Sequence, residues 1–536
     1  MRRKGMCSLA PALALSLAVG LMAGCSQNGG ETTAAPTTEK ASSEAESTTE
    51  EESGEGTPAA EEAAARDTLT IATADEPPSM TTYQHNAIAG NYMNTMTHNG
   101  LFKTGDNMEP VPDLVESYES TSDTEWVFHL KQGVLFHNGE EMKAEDVKAS
   151  LELCQNSLEV SQYAVPGTIE VVDDYTVKIT TDGPQSGLIS NLAHHGNFIL
   201  PADLIESGHD FNEEPIGTGP YKLVAWNRGE SVEFEAFEDY FEGAAPIKHV
   251  IWKIIPEGSS RTMAMEAGEV DLVVDVETTD KTRIAETEGM TLYSEPGTSH
   301  NFLTINNEVA PFDNINFRKA IASAIDKDAV VQVALNGDGT PVNAMVPDCF
   351  EGTTDEGAPT YDVEQAKAYL EESGLDPAEC GFTIICSDEI KLRSGQVIQS
   401  SLKENLGVEV QLESMDLSTY LDAVMSGNYE AALGGFTSSD FLGYVQGIYH
   451  SDSINASNLS RTNDPHLDEL IEAIQAALDP EERIPLVTEL SIAVNERCPF
   501  VPLYMKNNTR AYNSDLQGFN CTANGITHYN EMSWSN

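Results

Sequence analysis

A carboxylate, three small hydroxyl-bearing residues and three rings crowd into one stretch, Gly434-Gly435-Phe436-Thr437-Ser438-Ser439-Asp440-Phe441-Leu442-Gly443-Tyr444. These residue types suit the holding of a ligand: polar groups fix its orientation and apolar walls displace water. Metal chemistry is the first rival, because His194-His195 offers two imidazoles, ligands for nickel, copper or zinc. Read as strand residues, however, neighbours point to opposite faces. No carboxylate or cysteine stands at useful spacing beside them, so no metal site is expected. Catalytic signatures are absent too. The chain has no G-x-S-x-G elbow, no H-E-x-x-H, no Walker loop and no G-x-G-x-x-G opening a helix. Gly337-Asp338-Gly339 lacks the lysine and helix of a phosphate loop, and none of the 87 acidic residues singles out a glycosidase-type pair. A binding protein without cofactor, not an enzyme, is the expectation.

The elements that must position such a site follow from local patterning. In Pro215-Ile216-Gly217-Thr218-Gly219-Pro220-Tyr221, two glycines and a proline predict a sharp turn, since glycine tolerates positive φ and proline fixes its own. Strands are predicted over 221–226 and 231–237, joined by Asn227-Arg228-Gly229-Glu230. Short alternating strands dominate residues 68–260, among them 126–130, 134–136, 176–179 and 250–255. From about 317 helices take over. One is predicted over 317–335, stopping at Asn336-Gly337; another opens at Asp362 with Gln365 three places on and closes at Ser373-Gly374. Residues 466–478 and 480–496 read as a helical pair split near Asp479-Pro480. Mixed strands and helices in two blocks indicate an α/β, two-lobe architecture.

The ends and the composition bound the setting. Arg2, Arg3 and Lys4 precede an apolar run over 9–21 that is short for a membrane span, as in an export leader. Leu21-Met22-Ala23-Gly24-Cys25 resembles a bacterial lipobox, although leucine more often stands where Met22 does; lipidation of Cys25 is expected. Residues 26–66, rich in Thr, Ser, Ala, Glu and Gly, bury almost nothing and read as a disordered acidic tether. As a flexible coil it would span about 35 Å root-mean-square. The remaining body is too long for one hydrophobic core, so two lobes are expected on size. A formal charge of −58 argues against a nucleic-acid partner. Of eight cysteines, six lie in the body, and buried free thiols are expected there. Cys380 and Cys386 are the nearest pair should any be oxidised; with no C-x-x-C, a zinc ribbon is unsupported.

The 215–221 run resembles the signature loop of the family-five (peptide/nickel) extracellular solute-binding proteins, the receptors of ATP-driven importers. Matching segments stand in the family's order: Val111-Pro112-Asp113-Leu114-Val115-Glu116-Ser117-Tyr118, then Trp126 to Gly139, Ala144-Glu145-Asp146-Val147 and Val172 to Val177. After the loop come Ala267-Gly268-Glu269-Val270-Asp271, Pro311-Phe312-Asp313-Asn314 and Phe317-Arg318-Lys319-Ala320-Ile321, so the likeness spans roughly 67–515. It implies a type II, cluster C binding-protein fold. Lobe one would cover 67–298, with an extra subdomain at about 85–212; lobe two would cover 299–503; and 504–536 would return to lobe one. The crossings would fall near 295–301 and 502–510.

The resemblance also implies the binding residues. Peptide-binding members carry a tryptophan and then an aspartate in the 434–444 stretch, and that carboxylate holds the peptide's α-ammonium by a charge-assisted hydrogen bond. Here Phe436 replaces the tryptophan, Asp440 lies four places on instead of three, and the following Asp-Pro is missing. Asp440 is the expected ammonium partner, the alternative being a solvated loop aspartate. Phe436, Ser439 and Tyr444 would surround it. Tyr83, His85 and Asn86 follow the first strand, where family members reach the cleft; Phe441 and Tyr92 are further candidate walls. All four tryptophans have structural explanations, which lowers an oligosaccharide in the ranking. The function implied is capture of a short peptide or similar amine-bearing solute by a monomer that closes on it and meets an ABC permease and ATPase. A nickel chelate, an oligosaccharide, or a surface sensor or adhesin role are the alternatives.

Overall fold

Two long antiparallel strands, Met290–Ile305 and Phe500–Asn513, form the spine of the molecule. The computed structural model describes residues 66–105, 108–438 and 440–535, which belong to one compact unit, Ala64–Asn536. The expected leader, Cys25, the tether up to residue 65, and Ser439 lie outside the described residues. Around the spine runs an eleven-stranded mixed sheet. On one side of the spine pair stand Ala431–Thr437, Phe382–Cys386 and Val410–Ser414; on the other stand Leu272–Val274, Thr68–Thr73, His249–Ile254, Ser231–Ala236 and Tyr221–Asn227. The short strand Thr340–Pro341 joins through Phe500–Asn513. Among the described residues, no helix is long and apolar enough to cross a membrane.

The apolar side chains divide into separate cores, as the length of the body requires. One packs the helices after residue 315 onto Ala431–Thr437 and Phe382–Cys386, with Phe312, Phe317, Ile384 and Phe500 at its centre. Another joins Leu69, Tyr221, Val250 and Trp252 to Leu516 and Met532 from the C-terminal segment. A third lies under a separate four-stranded sheet, Val115–Ser122, Glu125–Leu130, Thr176–Thr180 and Thr168–Asp173, and holds Phe128, Leu130, Val177 and Ile179. The spine strands carry the chain between the first two cores. Their pairing breaks register between Pro296 and His300, where the partner residues change from Asn507 to Met505. Such a bulge bends and twists a strand locally.

Several local readings need correction. The predicted 317–335 helix is two, Ile315–Ala324 and Lys327–Leu335, because Asp326 caps the second by accepting from the Ala329 N–H at 3.1 Å. Its end is as read, with Asn336 in the left-handed region. Residues 134–136 form no strand; only Leu135 pairs, with Glu141. The six described cysteines are free thiols as expected, Cys380 and Cys386 among the buried ones, but Cys349 and Cys521 are only half-buried.

The 215–221 turn is sharp for a different reason from the one predicted. Neither Gly217 nor Gly219 has a positive φ. What the glycines allow is close approach: a Cβ on Gly219 would lie 2.6 Å from the Met96 carbonyl oxygen and 2.5 Å from the His98 nitrogen. The Gly219 N–H donates to the Thr97 carbonyl at 3.0 Å, the His137 N–H donates to the Gly217 carbonyl, and Thr218 Oγ1 donates to Asn99 Oδ1. The turn thus clamps the end of helix Ile88–Thr97 to the following loop.

Candidate functional site

Strand Ala431–Thr437 ends at the mouth of two adjoining cavities, and Asp440 stands between them. The first cavity, of about 520 Å³, has walls of neutral polar side chains, among them Asn86, Asn91, Gln185, Asn191, Gln446 and Asn524, with Phe436 beside them. Its charged lining groups are Asp440 and Lys103. Lys103 Nζ lies 3.8 Å from a Glu242 carboxylate oxygen, a loose pair. The second cavity, of about 560 Å³, is walled by rings and aliphatic groups, including Tyr118, Trp126, Phe350 and Phe441. The two share Gly187, Ser190, Asp440 and Leu442. Both volumes suit a small organic ligand.

Asp440 has a structural task as well. It is the N-cap of helix Phe441–Tyr449, where Oδ1 accepts from the Gly443 N–H at 2.7 Å. Among the described residues, no lysine or arginine lies within ion-pair distance of it. Burial pushes its pKa up, and hydrogen bonds from the backbone of Gly443 and Leu442 only partly offset that. An uncompensated, half-buried carboxylate at the junction of two cavities is chemically suited to a cation carrying N–H donors.

The other predicted residues separate into those at the cavity and those behind it. Phe436 and Asn86 line the first cavity. Tyr444 does not: it is fully buried, with its hydroxyl 2.6 Å from His300 Nδ1 and 3.1 Å from the Met345 carbonyl. It sits on the inward face of its helix, one turn beyond the cap. Tyr92 is likewise in the core, its hydroxyl accepting from Arg510. Tyr83 borders a different surface recess beside His209 and Asp210. His85 lies one layer behind the cavity, stacked at 5.2 Å on His195.

His194 and His195 occupy a short 3₁₀ turn, His195–Asn197 with its cap, so the strand assumption fails and both rings border the same cavity. Among the described residues, no group of three or more His, Cys, Asp or Glu is gathered to hold an ion. Their nitrogens serve the fold: His194 Nδ1 accepts from the Gly196 N–H at 3.1 Å, and His195 Nε2 donates to the His85 carbonyl at 3.2 Å. The His194 ring stacks on Tyr163 at 3.8 Å.

Burial holds His195 down to about 3, His98 to about 3, His137 to about 4 and His300 to about 3. The sign of the linkage is fixed by these shifts. Between the ordinary histidine value and these depressed ones the unfolded chain binds protons that the folded chain refuses, so each ring's contribution is complete above about pH 6.5 and is lost as pH falls, by about 1.4 kcal/mol per pH unit. Asp113, raised by burial to about 6, works in the opposite direction over the same acid range. The expected outcome in an NMR titration is that the C2–H resonances of these four rings do not move between pH 5 and 8. Titration of any of them near 6.5 contradicts the buried neutral assignment.

Sequence reasoning missed the amide wall, because isolated Asn and Gln carry no spacing signal. It also gave Trp126 a structural role alone, whereas this strand residue borders the second cavity.

Comparison with known proteins bears on what this site is for. The model of bacterial extracellular solute-binding proteins, family 5 Middle, matches residues 109–456. The glutathione-binding protein GsiB of Pectobacterium atrosepticum is 29% identical over 363 residues, covering 66% of this chain and 70% of that one. The dipeptide-binding protein of Escherichia coli is 24% identical, covering 81% and 87%. Among solved structures, HbpA2 from Haemophilus parasuis superposes with a TM-score of 0.81 at 24% identity, over 88% of this chain and all of that one.

Proposed function

Because the chain belongs to the family 5 bacterial extracellular solute-binding proteins, non-enzymatic components of ABC import, we propose that it captures short peptides or a similar amine-bearing solute and presents them to a membrane permease. The observation that carries this reading is Asp440, a half-buried carboxylate at the meeting point of two cavities with no cationic partner among the described residues. A ligand ammonium supplies the missing charge. The amides of the first cavity, Asn86 included, can both donate to and accept from a peptide backbone, and Phe436 gives that cavity an apolar patch. Ser439 stands next to the carboxylate in sequence and completes the proposed set.

Closure follows from two-sided contact. The first cavity draws its walls from residues 86–198 on one side and 436–446 on the other, so a ligand touching both favours the form that brings them together. The register break at Pro296 and His300 is the proposed pivot, within the crossings at 295–301 and 502–510. A lipid on Cys25 and the acidic segment 26–66 would keep a monomer outside the membrane and within reach of the permease. The GsiB and dipeptide-binding relatives are named for amine-bearing peptide ligands, which supports the same class.

A thermal-shift screen of the purified full chain tests the reading, with defined di- to pentapeptides, nickel chelates and oligosaccharides. A ligand at a hundredfold excess over its Kd stabilises the folded state by about 2.7 kcal/mol. A rise in Tm with peptides is expected. A rise confined to a chelate or a sugar overturns the assignment of Asp440.

A further inference from the structure

The first cavity accounts for a ligand's polar skeleton; the second has no part in that reading and has a different chemistry. Its deep wall is aromatic. Trp126, 5% exposed, stacks near-parallel with Tyr118 at 6.3 Å between centroids, and Phe350 meets Phe441 edge-on at 6.1 Å. Besides Asp440, its charged lining groups are the exposed Glu351 and Asp479 and the half-buried Glu109 and Arg483. Rings set at these separations and angles present both faces and edges, the two surfaces against which another ring packs best. In an α-amino acid the ammonium and the side chain leave the same carbon atom. A residue whose ammonium sits on Asp440 must therefore place its side chain within a few ångströms of that carboxylate. Of the two spaces that meet there, one is lined with amides that suit a backbone, and the other with rings.

Resting on the reading of Asp440 as the ammonium partner, we infer that the second cavity receives a large aromatic side chain carried by the ligand's amino-terminal residue. The walls that select it are Tyr118, Trp126, Phe350 and Phe441. At about 560 Å³ the space accepts an indole with room to spare, and a methyl group leaves it unfilled. The selectivity comes from area: the ring buries apolar surface on both sides, whereas alanine buries almost none.

Ser120 offers a clean test, because it lines this cavity from an exposed position on strand Val115–Ser122. The full chain, its Ser120→Trp variant and its Tyr118→Ala variant are titrated calorimetrically with Trp-Ala-Ala and with Ala-Ala-Ala. Tyr118 is 43% exposed but packs on Phe102, Trp126 and Phe128, so the Tm of its variant is measured alongside. The unaltered protein is expected to bind the tryptophan peptide at least about tenfold more tightly. Ser120→Trp puts an indole into the space the ligand's ring would take and abolishes that preference while the alanine peptide keeps its affinity; Tyr118→Ala reduces the preference severalfold. Equal affinities in the unaltered protein, or a preference that survives both substitutions, overturns the aromatic compartment and leaves the peptide reading standing. Binding of neither tripeptide removes both.

Discussion

Asp440→Asn is expected to weaken the binding of an amine-bearing ligand by about 2–5 kcal/mol, the range found when one partner of a desolvated charge pair is removed. The Tm of the free protein should stay close to that of the unaltered chain. The choice of asparagine separates two roles of one side chain. Asp440 caps helix Phe441–Tyr449 through the Gly443 N–H, and asparagine caps about as well as aspartate. Alanine would lose charge and cap together, adding about 1 kcal/mol of instability. The pH dependence follows from the raised pKa, which burial causes. As pH falls through that value Asp440 takes up a proton and its attraction for an ammonium goes, so affinity should decline on acidification and recover above it. The asparagine variant should lack that decline. A calorimetric loss below tenfold in Asp440→Asn would sink the assignment and leave the aspartate a cap alone.

Gly219→Ala is expected to destabilise the folded state by about 1–3 kcal/mol or more, as small-to-large changes in packed sites do. The atoms a methyl group would meet are backbone, the Met96 carbonyl oxygen, the Thr97 carbonyl carbon and the His98 nitrogen. Backbone cannot rotate away as a flexible side chain can, so helix Ile88–Thr97 or the turn must shift. That shift also strains the hydrogen bond from the Gly219 N–H to Thr97 and the contact of His137 Nε2 with the Gly219 carbonyl at 3.0 Å. Gly229, with nothing within 4 Å of where a methyl group would stand, is the wrong comparison because its φ is +73°; Gly183, with open space and no positive φ, is the right one. Denaturant midpoints should fall for Gly219→Ala and barely change for Gly183→Ala. Equal midpoints would mean that the turn is held by something other than close approach.

The fold was largely legible because its signals are local and repeated. His249–Ile254 carries β-branched and aromatic residues with Val250 and Trp252 facing inward, and Val363–Ser373 begins at an aspartate cap and ends at a left-handed glycine. The site was legible only in part. Asp440 and Phe436 line a cavity, but Tyr444 turned inward: four residues on from Asp440, just past the first helical turn, it faces the core side of the helix. No periodicity in a stretch of Gly, Ser and Thr announces that a helix begins at Phe441. His85 and Tyr83 failed for a similar reason, since irregular backbone between strand and helix gives no rule for which way a side chain turns. The amide wall came from six positions scattered between 86 and 524, a set that only the completed fold assembles.

The order of strands carries a consequence for how this chain comes to exist at all. Strand Phe500–Asn513 lies in the interior of the sheet, between Met290–Ile305 and Leu272–Val274. At the far end of the sequence, the Trp534 indole N–H donates to the Thr68 carbonyl, and the Arg66 guanidinium lies over the Trp534 ring at 3.8 Å. Without that strand the large sheet is two pieces with open edges. The closing strand pairs with residues as far back as Leu272. Contacts of such long sequence separation form slowly. A chain whose central strand comes this late leaves the edges of Met290–Ile305 and Leu272–Val274 open until that strand arrives, and only then can one continuous sheet form.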